Sequence, residues 1–162
     1  MELPSHVPEE ACRCFERAYG AQMSGRLEEA IDLYKQSLAI CPTAEAHTFL
    51  GWVYSMQRHL EEAIAECHRA IEVDPDFGNP YNDIGAYLIE LGRTEEAVAW
   101  LERAKQAVRY EPRHYPHINL GRIHVMRNDI PAAARELRAA IAIEPGHAGA
   151  RRELHRLMGL LN

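Results

Sequence analysis

Lysine is nearly absent from this chain: Lys35 and Lys105 stand against sixteen arginines in 162 residues. That imbalance hints at codon bias more than at mechanism. Long apolar runs are missing too. Nothing approaches the ~18 consecutive apolar residues of a membrane-crossing helix, so no membrane partner is expected. The opening Met-Glu-Leu-Pro-Ser-His has neither a basic nor an apolar stretch. No secretory signal is therefore expected, and a cytoplasmic location is the default. The four cysteines, Cys12, Cys14, Cys41 and Cys67, contain no Cys-x-x-Cys pair, which favours reduced thiols over a disulfide framework. Gly-x-Gly-x-x-Gly, P-loop, nucleophile-elbow and His-Glu-x-x-His patterns are absent as well. Those absences argue against an enzyme, a cofactor or a metal site. His114, His117 and His124 share a helix, but no carboxylate cluster with ligand spacing accompanies them. His47 and His117 fall at equivalent places near helix starts, where a structural role explains them better.

What is present is periodic. Ala18 is followed twelve residues later by Ala30, Gly51 by Ala63, Gly85 by Ala97 and Gly121 by Ala133. Pro42, Pro75 and Pro145 lie twelve residues beyond their alanines, and Pro112 lies fifteen beyond Ala97. Successive alanines are 33, 34 and 36 residues apart. Small residues at a fixed interval mark close helix–helix approach, and this period means a stacked array of helical hairpins. Within 44–75, Phe49, Leu50, Val53 and Tyr54 precede Leu60, Ile64, Cys67, Ile71 and Val73 at amphipathic spacing.

The pattern predicts nine helices, at about 8–23, 27–40, 44–56, 60–73, 78–91, 94–110, 114–127, 130–143 and 147–160. Gly25, Gly92 and Asn128-Asp129 occupy the tight turns, with Asp129 as an N-cap. The last helix carries one apolar stripe, Leu154, Leu157, Met158 and Leu161, opposite a basic face, as a terminal cap requires. Three extra residues between Ala97 and Pro112 either lengthen the second helix of the third unit or form an irregular loop. A lengthened helix would push the connection bearing Tyr110, Arg113 and His114 outward. Charge is segregated: residues 1–102 hold 19 acidic and 7 basic side chains, and 103–162 hold 5 and 11. Such polarity can steer a partner or a second copy of the chain. Nucleic acid is not expected, because the chain is acidic overall and offers no aromatic stacking platform.

The second unit, Leu50-Gly51-x2-Tyr54, Ala63-x3-Cys67, Ala70-Ile71 and Asp74-Pro75, closely resembles the tetratricopeptide repeat. So does the third, with Tyr81-x2-Ile84-Gly85-x2-Leu88 and Ala97-x3-Leu101, and the fourth, with Leu120-Gly121-x2-His124 and Ala133-x3-Leu137. The first begins weakly and recovers at Ala30-x3-Tyr34. The resemblance implies an all-α solenoid in one domain over 1–162, with units at about 11–43, 44–77, 78–113 and 114–146 and a capping helix at about 147–161. It also implies a right-handed superhelix whose concave side is lined by the first helix of each unit. Carried onto this sequence, the lining is Phe15, Tyr19 and Met23; Thr48, Trp52 and Met56; Asn82, Ala86 and Ile89 or Glu90; Ile118, Arg122 and Met126. Phe15 and Tyr19 also suit a second role, packing the N-terminal end.

Methionine-rich, aromatic grooves accept apolar helices or extended peptides. Some family members grip the carboxylate tail of a heat-shock chaperone with several cations. Here Arg122 stands alone, with Asn82 and Asn119 nearby, so that clamp is not expected. The function expected is a protein-binding adaptor that holds a partner's apolar or amphipathic segment in the groove. The alternative is a self-associating scaffold, a weak homo-oligomer driven by the acidic and basic ends.

Overall fold

The computed structural model describes residues 3–160, among which lie nine helices. They are α1 (Glu9–Met23), α2 (Leu27–Ile40), α3 (Ala44–Met56), α4 (Leu60–Val73), α5 (Asn79–Glu90), α6 (Thr94–Gln106), α7 (His114–Met126), α8 (Ile130–Ile143) and α9 (Ala148–Leu160). Each packs on its chain neighbours. The first helices of successive units also touch, α1 with α3, α3 with α5 and α5 with α7, whereas no two second helices pack comparably among the described residues. First helices thus sit on the crowded inner side of the array and second helices splay on the outer side. A concave face follows from that asymmetry.

The turns obey local sterics. Gly25 and Gly92 take φ of 74° and 77°, and Asn128 takes 57°, which asparagine tolerates better than most residues. Arg58 adopts the same left-handed conformation at φ 67° without that advantage. Thr43 caps α3 by accepting from the Ala46 N–H at 3.2 Å, and the Asp129 carboxylate caps α8 by accepting from Ala132 at 3.0 Å. The glutamate pairs in the first turns of α2, α4 and α6 favour the positive end of the helix dipole. They also reach along the array: Gln57 donates to Glu28 at 2.6 Å, and Arg93 lies 3.3 Å from Glu61.

Close approach within each hairpin follows the small-residue interval, with one shift in register. A methyl on Gly51 would lie 2.9 Å from the Ala63 carbonyl oxygen, so the backbones themselves meet there. Gly85 faces Leu101, one turn beyond Ala97, and Gly121 lies in ordinary contact range of Leu137 and Ala133. In the second and fourth units His47 and His117 each bring Nδ1 to 2.7 Å from a glutamate oxygen, on Glu66 and Glu136 respectively. In the third unit the equivalent pair is Tyr81 and Trp100, ring against ring at 6.0 Å. At the far end Leu157 is fully buried against Ala133, Leu137 and Ala150, with Leu154 beside it. Leu161 lies outside the described residues.

The extra residues of the third unit do not lengthen its second helix. Helix α6 stops at Gln106, and residues 107–113 return toward the α4–α5 connection. There the Arg109 N–H donates to the Asp76 carbonyl at 3.0 Å and the Gly78 N–H to the Arg109 carbonyl at 3.1 Å, an isolated parallel bridge. Tyr110 is not pushed outward. It is buried with Tyr81, Ala104 and Ala107, and Val108 takes the exposed place. Gly78 makes room, since a methyl there would fall 2.4 Å from Tyr110 Cβ. Arg113 ties the loop by donating to the carbonyls of Ala107 and Val108 at 2.9 and 3.1 Å.

Arg109 extends from this loop over the Phe77 ring, 4.3 Å from its centroid. Its guanidinium reaches Asp74 at 2.6 Å and Glu45, on α3, at 2.8 Å. Burial alone would raise the Asp74 carboxyl; hydrogen bonds from Arg109 and the Asp76 N–H outweigh it and hold that carboxyl below its ordinary value. Glu45 is only 1% exposed, so Arg109 compensates a charge that water does not.

Denaturant unfolding of four variants checks this packing. Gly51→Ala forces backbones apart and lowers stability by about 1–3 kcal/mol in denaturant unfolding. Gly121→Ala meets no such contact and raises stability by about 0.5–1 kcal/mol, because alanine orders more readily in a helix. Arg109→Met strands the Glu45 carboxylate and costs about 2 kcal/mol or more in the same measurement. Adding Glu45→Gln to Arg109→Met recovers part of that loss; no recovery contradicts the brace.

Candidate functional site

On the inner face a cavity of about 420 Å³ lies where α3 and α5 meet the loop before α7. Helix α3 contributes Thr48, Phe49, Trp52 and Ser55 at the three- and four-residue steps that align side chains on one face. Helix α5 contributes Asn79, Asn82, Asp83, Tyr87 and Glu90, and the irregular loop closes the far side with Tyr110 and Pro112, followed by Tyr115. The turned-in loop of the third unit is therefore one wall.

Trp52 is 40% exposed although tryptophan is the largest side chain type. Its ring rests edge-on against Phe49 at 5.7 Å, and Phe49 in turn contacts Phe15 at 5.3 Å and Tyr19 at 5.7 Å. This aromatic chain holds Trp52 from behind and leaves its outer face open. Geometry of this kind contributes to stability through edge-to-face contacts without burying the whole indole.

The polar part of the cavity is acidic. The Asn119 amide donates to Asn82 Oδ1 at 3.0 Å, which turns the Asn82 NH₂ toward the Asp83 carboxylate 3.4 Å away. Burial pushes the Asp83 carboxyl up to about 7, only partly offset by that donor. Burial likewise pushes the Tyr87 and Tyr110 phenols upward, with the nearby Asp83 charge adding to it. Glu90, at the rim, pairs with Arg58 of the preceding unit at 2.5 Å. Among the described residues no basic side chain lines this cavity.

Of the residues expected in the groove, Thr48, Trp52 and Asn82 line this cavity. Thr48 is buried, its hydroxyl donating to the Ala44 carbonyl at 2.7 Å. Ile118, Arg122 and Met126 line a second, more apolar cavity of about 280 Å³ against α9, with Val125, His147 and Glu153. Arg122 and Trp52 thus do not share a pocket. Tyr19, Met23 and Met56 are half-exposed, with Met56 sulfur 3.7 Å from the buried Gln22 amide. Phe15 belongs to the core, Ala86 lines neither cavity, and Ile89 is buried, so Glu90 is the member of that pair at the cavity. Phe49, Asp83 and Tyr110 were not anticipated there. Phe49 lies three residues before Trp52 on the same helix face and could have been read from it; nothing in the sequence marks Asp83 or Tyr110.

Other candidates resolve into packing. His117 is engaged with Glu136, and His114 stacks on Tyr115 and His147 at 4.2 and 5.2 Å. Among the described residues no three histidine, cysteine or carboxylate groups are placed to hold a metal ion. No described helix is long and apolar enough to cross a membrane. Cys67 is fully buried, and burial pushes its thiol well above the ordinary range.

Four antiparallel hairpins and a terminal helix, stacked along one axis, define an all-α helical-repeat solenoid. Residues 44–77 and 81–109 match family models of the tetratricopeptide repeat, and the chain is a tetratricopeptide repeat protein. Repeats of this family form protein–protein interaction modules. The type IV pilus assembly protein PilF of Pseudomonas aeruginosa is 30% identical over 118 residues, 72% of this chain and 46% of that protein. The chain thus spans about half the length of that curated relative. The solved structure of Pseudomonas aeruginosa PilF superposes with a TM-score of 0.85 at 24% identity, covering 93% of this chain and 68% of that one. PilW, a type IV pilus biogenesis factor, superposes at 0.84 with 19% identity over 94% of this chain and 70% of its own. YrrB, described as having an unusual peptide-binding site, superposes at 0.67 with 22% identity over 94% and 78%.

The half-buried Asp83 gives a pH test. A carboxyl whose folded pKa is raised stabilises the fold only in its protonated form. Its contribution is fully present below the ordinary value near 3.8 and is lost as pH rises toward 7. Asp83→Asn therefore melts above wild type at pH 8, and the gap closes toward pH 4. A gap independent of pH contradicts the assignment.

Proposed function

We propose that the chain is an adaptor that holds an apolar or amphipathic segment of a protein partner on its concave face, centred on the cavity beneath Trp52. The observation that carries this reading is the posture of Trp52, braced from behind by Phe49 and left open on the inner side. A large indole fixed before binding loses little freedom when a partner covers it, which is how tryptophan comes to dominate interfaces. Tyr19, Met23 and Met56 continue the apolar surface along the first two units, and the adaptable methionines tolerate variation in what is bound. The fold shared with YrrB supports a peptide as the form of ligand. The likeness to PilF makes a component of a type IV pilus system the first partner to try.

The test pairs a melting curve with co-precipitation of a candidate partner. Trp52→Ala keeps the fold, because the indole is 40% exposed and outside the core clusters, and weakens binding by about 2 kcal/mol, roughly thirtyfold. Unfolding of Trp52→Ala, or undiminished recovery of a bound partner, overturns the reading.

A further inference from the structure

We propose that the central cavity is a receptor for an arginine side chain of the bound partner, its guanidinium lying against the aromatic walls with the Asp83 carboxylate as counter-ion. The inference rests on the groove reading above and names the chemistry that the groove selects. Five aromatic rings line the cavity: Phe49 and Trp52 from α3, Tyr87 from α5, and Tyr110 and Tyr115 from the segment around the start of α7. Two carboxylates complete it, and no cation does among the described residues. An aromatic face attracts a cation through its quadrupole, and a planar guanidinium stacks on it as an ammonium does not.

The two acids are not equivalent. Glu90 is already paired with Arg58 from the neighbouring unit. Asp83 has a single amide donor, Asn82 Nδ2, at a long 3.4 Å, in a setting where burial disfavours its charge. A guanidinium entering the cavity supplies the charge and donors that Asp83 lacks, while Thr48, Ser55 and Asn79 add polar edges. An acidic or C-terminal carboxylate ligand meets like charge instead. The protein uses the same contact elsewhere: Arg103 lies 4.6 and 4.7 Å from the Trp100 and Tyr81 ring centres, and Arg109 covers Phe77.

Binding is then pH-dependent with a fixed sign. The other titratable groups facing Asp83 are Cys67 of α4, Tyr87 of α5 and Tyr110 of the loop, all pushed upward by burial. They stay neutral through the range in which Asp83 ionises. Affinity for a cation therefore rises from pH 6 to pH 8.

The experiment titrates isotope-labelled protein with acetyl-Ala-Arg-Ala-amide and with its citrulline counterpart, which has the same shape without the charge. The readout is the Trp52 indole resonance, assigned with a Trp100→Phe variant, since these are the two tryptophans of the chain. At pH 8 the arginine peptide shifts that resonance with a Kd at least about tenfold below that of the citrulline peptide. The preference shrinks at pH 6 and is lost in Asp83→Asn, whose own melting curve checks that it is folded. Equal binding of the two peptides overturns the arginine assignment and leaves the groove reading intact. No shift with either peptide also overturns it, and the groove reading is then decided by Trp52→Ala and the protein partner.

Discussion

The fold depends on how closely the two helices of a hairpin approach. Where glycine or alanine stands at the crossing, as at Gly51 against the Ala63 carbonyl, the backbones can touch and larger residues fill the flanks. That spacing sets the splay between hairpins, brings the first helices into mutual contact and opens the inner face. The cavity on that face is thus a product of core sterics several residues away. Neither Trp52 nor Asp83 makes the hollow; each occupies a position that the crossings have already turned inward.

Periodicity made the hairpins legible, because the amphipathic and small-residue spacings repeat and each copy corroborates the others. Eight of the helix ranges correspond closely to those found. For the remaining one, α6, the pattern runs through Tyr110 but the helix ends at Gln106, since the apolar residues that continue its pattern pack instead on Tyr81 and against Gly78. Pattern alone cannot separate a buried residue on a helix from one on a loop that folds back. The site was less legible for a related reason. Trp52, Thr48 and Asn82 follow from helix phase, but the division of the inner face into two hollows depends on the position of the loop and of α9.

Equivalent positions also show what a repeat holds constant. The His47–Glu66 and His117–Glu136 contacts and the Tyr81–Trp100 contact join the same two places in successive hairpins, each nineteen residues apart. One solution is polar and hydrogen-bonded, the other aromatic, and both bridge the first helix to the second. A buried junction accepts either chemistry provided every polar atom has its partner, and among the described residues none is left without one. What persists from unit to unit is volume and satisfaction rather than identity.

The loop of residues 107–113 alters the mechanics of the array. In a simple solenoid each unit senses only its neighbours along one seam, so opening can begin anywhere and travel. Arg109 adds a contact between positions 64 residues apart, joining the end of the third unit to the start of the second, and the backbone bridge at Phe77 adds another. These ties stitch the two middle hairpins into a single cooperative block. Fraying is thereby confined to the ends, and amide protons around the central hollow exchange with solvent more slowly than those of α1 or α9.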